Sequence, residues 1–174
     1  MTPLQQAQVL RRAAALIDRG GLRRNGWGRP GAALCLNTAL AAALGLDSRR
    51  LGRFGFYSFG SNDVTEAVGT LIRDSGLLDH LPVPQTSSWQ TRRVRPQALS
   101  AGRAVQELAR WNDVPGRGAD LAVEVLRAQA GRLEKRGFDL FLETALVAAP
   151  WLDRRAAAQA RPSTQARVVA SSAP

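Results

Sequence analysis

A chain of 174 residues carries one lysine, one histidine, one cysteine and one tyrosine. The lone Cys35 excludes an intramolecular disulfide and any thiolate-rich metal site. The lone His80 excludes a multi-histidine metal centre. The carboxylates lack the paired arrangement that glycoside hydrolysis requires, so neither a cofactor nor a metal is expected. Long apolar runs are also missing. The longest uncharged stretch, Pro30 to Leu46, is Ala-rich, holds Asn37 and Thr38, and is too short to span a bilayer comfortably. Arg11, Arg12 and Asp18 interrupt the first apolar stretch, so neither a signal peptide nor a membrane partner is expected. A single free thiol fits a reducing, cytoplasmic setting.

Acidic residues are outnumbered, with 14 Asp and Glu against 24 Lys and Arg, a net charge of +10. With Lys135 the only lysine, the basic residues are almost all arginine. GC-rich coding accounts for arginine over lysine but leaves the net charge to be explained. The charge is uneven. Residues 1–60 hold nine arginines against Asp18 and Asp47, whereas residues 61–80 set Arg73 against Asp63, Glu66, Asp74 and Asp79. The last residues, from Arg154 on, hold no acid. Basic patches of this kind attract polyanions, although the chain has no zinc finger, RNA-recognition signature or basic region followed by heptads.

What is present is helical periodicity. Thr2-Pro3 reads as an N-cap with proline at the first helical position. Val9, Leu10, Ala13, Ala14 and Ile17 then share one face of a helix over 3–19, stopped by Gly20-Gly21. Further helices are predicted over 32–44, 63–75, 97–111, 119–135 and 138–149, the last broken at Pro150. The fold expected is an all-α bundle of five to six helices over residues 3–150, with a basic, partly disordered tail over 151–174. A short strand pair near 51–60 and 88–95 is the one β element the pattern allows.

Three segments resemble a small uncharacterised family of high-GC bacterial and phage proteins. The first is Trp111-Asn112-Asp113-Val114-Pro115-Gly116-Arg117, followed by Ala119 and the helix AVEVLRAQA. The others are LRRAAALIDRGG at 10–21 and CLNTAL at 35–40. The resemblance covers about half the chain and departs at Gly118, where the family favours threonine as a stronger helix cap. It implies a fold and a grouping, and no activity.

Three groups of residues stand out as candidate sites. The loop over 20–32 interleaves Arg23, Arg24 and Arg29 with glycines and Trp27. Arginines around an aromatic can hold phosphates and stack a base, and Arg49, Arg50 and Arg53 extend the basic set. The loop lacks the Gly-Lys-Ser/Thr ending of a phosphate-cradling P-loop. The second group is the turn Trp111, Asn112, Asp113 and Arg117. Either it is architecture, with Asn112 or Asp113 capping backbone N–H groups of the turn or the next helix, or it is a polar recognition cluster. The third is Cys35, His80 and Asn112 or Asp113, in the chain order of papain-like enzymes. Against it stand the absence of strands and a helix start at Pro30 or Gly31, which puts Cys35 beyond the first turn that favours a thiolate. The function expected is non-enzymatic binding or regulation through an arginine-rich surface, with nucleic acid or an acidic protein as partner. The alternatives are a Cys35-dependent hydrolase or transferase, and a structural protein that oligomerises through apolar helices.

Overall fold

The computed structural model describes residues 1–24, 26, 32–51, 62–82 and 98–159, with side chains described through residue 146. The expected strand pair, Trp27, Arg29, Arg53 and the tail from residue 160 lie outside the described residues. Those residues form five α-helices: α1 (Pro3–Gly20), α2 (Leu36–Ala43), α3 (Asp63–Asp74), α4 (Ala101–Asp113) and α5 (Ala119–Gln159). Short 3-10 turns lie at Ser48–Arg50 and Leu77–His80. The chain divides into two compact units, Met1–Gly137 and Phe138–Pro174.

In the first unit, α1 starts where the sequence puts it. The Gln5 amide donates to Thr2 Oγ1 at 3.2 Å and the Thr2 amide to Gln5 Oε1 at 2.8 Å, a reciprocal cap that stabilises by about 1 kcal/mol. The helix ends at Gly21, whose φ of 83° suits glycine alone without strain. Its buried face, including Leu10, Ala13, Ala14 and Ile17, packs on α2.

α2 begins at Leu36, four residues later than the Ala-rich pattern predicts. Leu34 is held extended by a bridge to Leu22, and Cys35 becomes the N-cap. Tertiary pairing has overridden helix propensity. Asn37 and Thr38 are buried on this central helix. The Asn37 amide donates to the Val105 carbonyl of α4 at 3.0 Å.

α3 and α4 each start on a polar cap, Asn62 Oδ1 accepting from the Thr65 amide and Ser100 Oγ from the Arg103 amide. Their axes come together at Gly69, where a side chain would run into the Ala101 backbone. The core also holds Leu71, Ile72, Leu108, Trp111 and Leu126, all less than 3 % exposed. Each large apolar side chain so buried contributes about 1.5–3 kcal/mol. Two ion pairs tie the start of α5 to α1, Arg11–Glu134 at 2.6 Å and Arg127–Asp18 at 2.7 Å. The Arg11 hydrogen bond holds the Glu134 carboxyl below its ordinary range, and both pairs lie in solvent, where such contacts contribute little.

α5 continues where the sequence predicts two helices, over 119–135 and 138–149. In the first unit Gly137 is covered by Leu4, whose side chain occupies the space a larger residue would need. The helix also passes through Pro150 to Gln159. In the second unit, Phe138–Leu146 is one helical stretch with its side chains in solvent.

Candidate functional site

Arg23 and Arg24 of the 20–32 loop and the residues of the Trp-Asn-Asp turn converge on one place in the first unit. After Gly21 the Arg23 amide donates to the Leu34 carbonyl at 3.0 Å, and the Leu34 amide donates to the Gly21 carbonyl at 3.1 Å. These two bonds close the root of the loop between residues 24 and 33. Arg23 and Arg24 sit at that root and are exposed, with the Arg23 side chain lying over Gly26.

Beneath the root lies Asn112, wholly buried in the last turn of α4. Its Oδ1 accepts from the Leu36 amide at 3.1 Å. Its Nδ2 donates to the Arg23 carbonyl at 2.9 Å and to Asp113 Oδ1 at 3.0 Å. One donor and two acceptors face the amide, so only one orientation of the side chain satisfies all three. A single residue in the last turn of α4 thereby caps α2 and holds the chain leaving α1.

Arg117 supplies the second fastening. Its guanidinium lies 4.3 Å from the centroid of the Trp111 ring. It donates to the Trp111 carbonyl at 2.7 Å and to the Pro82 carbonyl at 3.0 Å. The Trp111 indole N–H donates to the same Pro82 oxygen at 3.1 Å. Burial lowers the Arg117 pKa from its ordinary value, and the carbonyls and the ring face offset the loss of hydration of its charge. The Arg117 carbonyl in turn accepts from the Arg24 guanidinium, at 3.1 Å from Nε. Trp111, Asn112 and Arg117 are each 5 % exposed or less. Their polar groups are engaged inside the protein, which suits them to holding the loop root.

Cys35 also belongs to this neighbourhood. Its sulfur lies 3.5 Å from the Thr38 amide, which donates to it, and 3.1 Å from the Thr38 hydroxyl. Burial pushes the thiol pKa up, the nearby Asp113 charge adds to that, and hydrogen bonds from Thr38 and Asn37 only partly offset it. A buried neutral thiol is the opposite of an activated nucleophile. His80 sits exposed at the end of the Leu77–His80 turn, and none of the contacts found for Cys35 involves it. The expected outcome with a thiol-reactive disulfide reagent at neutral pH is slow modification of the folded protein. Fast stoichiometric modification should follow only in denaturant; rapid reaction of the folded chain would restore the catalytic alternative.

The other described arginines of the basic set, Arg49 and Arg50, lie on a separate turn. Arg49 and Arg50 are exposed on the Ser48–Arg50 turn, where Arg50 pairs with Asp63 at 2.5 Å. Among the described residues, no group of three or more His, Cys, Asp or Glu side chains could hold a metal ion, and no helix is long and apolar enough to cross a membrane. The Pro82 carbonyl, which binds two of the buried groups, carries no signal in the sequence.

A family model described as "Family of unknown function (DUF6197)" matches residues 1–132. That span takes in the loop root and the turn that anchors it. No curated protein and no solved structure matches the chain.

Proposed function

We propose that this chain, which belongs to that family of unknown function, is a non-enzymatic binding protein that presents the arginine-rich loop rooted at Arg23 and Arg24 to nucleic acid. The observation that carries this reading is the anchoring of the loop root from below. Asn112 holds its two ends, accepting from the Leu36 amide and donating to the Arg23 carbonyl, and the Arg24 guanidinium donates to the Arg117 carbonyl, while Arg23 and Arg24 remain exposed. Loops held on a rigid scaffold are where proteins place recognition residues. The loop's own sequence adds Trp27 and Arg29, the combination that stacks a base and contacts phosphate. In this reading Asn112, Trp111 and Arg117 are positioning residues, and Arg23 and Arg29 make the contacts. It goes with a cytoplasmic location, where nucleic acid and a reduced thiol are both found.

The test is an anisotropy titration with a labelled single strand of about 20 nucleotides. Arg23→Ala/Arg29→Ala is expected to weaken binding about tenfold and to lower the salt slope by about two. Arg103→Ala/Arg110→Ala, which removes two charges paired with Glu107 on α4, is expected to leave both nearly unchanged. Equal losses for the two double variants would show diffuse charge attraction and remove the loop as the site. Binding of acidic polypeptides in preference to oligonucleotides would replace nucleic acid with a protein partner.

A further inference from the structure

The second unit carries a surface that the basic loop does not explain. Phe138, Phe141, Leu142 and Leu146 are exposed by 59 %, 66 %, 43 % and 73 %. With Ala145 they recur at the three- and four-residue spacing that puts them on one face of α5. Asp139 and Glu143, four residues apart, are exposed along one flank of the stripe, and Leu140, 46 % exposed, lies on the far side. Apolar side chains scattered singly over a surface are ordinary, but a continuous stripe of this size marks an interaction site.

The charge beside the stripe narrows its occupant. Helices that lie in a membrane surface carry lysine and arginine on the polar side. Within residues 138–146 both charged side chains are carboxylates, which anionic lipid and nucleic acid repel. The stripe itself holds no charge with which to select a charged protein. The area matters next. Two phenylalanines and the leucines, exposed to this degree, offer roughly 500 Å² of apolar surface per chain. Two such stripes face to face would cover about 1,000 Å², the lower bound of a specific protein interface. A two-fold axis across one helix supplies that match without a second protein, because the same patch serves both sides.

We propose that the Phe138–Leu146 face of α5 docks a second copy of this chain, stripe on stripe, to form a dimer. The dimer is independent of the loop reading, since the loop and the stripe share no residue.

Sedimentation velocity of the full chain from about 1 to 100 µM tests it. The expected result is a species of twice 18.7 kDa across the upper part of that range. Phe141→Glu/Leu146→Glu is expected to be monomeric throughout, with unchanged helical circular dichroism and, at about 1 µM, where the wild type is also monomeric, an unchanged melting temperature. A wild-type chain that stays monomeric at 100 µM would overturn the proposal, as would a double variant that still dimerises. So would a monomer that sediments with phosphatidylcholine vesicles, which would make lipid the occupant. A monomer whose double variant melts lower would also overturn it, because the stripe would then be covered within its own chain.

Discussion

Asn112→Ala is expected to lower the unfolding free energy by about 3 kcal/mol and the melting temperature by about 10 °C. The side chain is wholly buried and makes three hydrogen bonds. Truncation leaves the buried Leu36 amide without that partner and also loses the bond to the Arg23 carbonyl, and a buried polar group so stranded costs about 1–3 kcal/mol. Asn112→Asp keeps an acceptor for Leu36 but turns oxygen lone pairs toward the Arg23 carbonyl and the Asp113 carboxylate. It is expected to be at least as destabilising as alanine at neutral pH. Thermal unfolding of both variants checks this. An alanine variant within about 0.5 kcal/mol of wild type, the range of an ordinary surface change, would mean the amide holds nothing together.

Gly69→Val is expected to be the most damaging single substitution in α3. A Cβ at this position would lie 2.5 Å from the Ala101 Cα and carbonyl carbon, with the Ala101 oxygen nearer still. The obstacle is helix backbone, so no rotamer change relieves it, and α3 and α4 must separate. Overpacking of a well-filled interface costs about 1–3 kcal/mol, and a backbone clash belongs at or above the top of that range. Gly131→Val meets nothing within 4 Å and is expected to change stability only by the helix-propensity difference, a gain of a few tenths of a kcal/mol. Denaturant unfolding of the pair separates loss of the helix contact from propensity. Equal midpoints would show that α3 and α4 do not meet at Gly69.

Local pattern made much of this fold legible before any coordinates. Thr2, Pro3 and the apolar spacing through Ile17 place α1 nearly to the residue, because caps and periodicity are local properties. α2 was misplaced because its start depends on Leu22 pairing with Leu34 across the loop. Periodicity alone put α2 at Ala32, with Cys35 inside the helix; the bridge makes Cys35 the cap. The turn at residues 111–117 illustrates a partial reading. Capping by Asn112 follows from its residue type, but the helix it caps is α2, 76 positions away, and no local pattern names that partner. Arg117 reads as a member of a polar cluster in the turn, and it is buried against Trp111 and two carbonyls. Gly137 lies between two predicted helices, yet α5 runs through it and Leu4 packs over it. The exposure of Phe138, Phe141 and Leu146 was equally hidden, since apolar spacing alone cannot distinguish a core face from an uncovered one.

The basic loop on its buried anchor is tested most directly by titrating the unmodified full chain into labelled random-sequence single-stranded DNA and RNA at about 50 and 200 mM salt. Micromolar affinity at the lower salt that weakens tenfold or more at the higher is the expected result. No binding at the lower salt would contradict a nucleic-acid surface and leave the arginines as a product of coding bias.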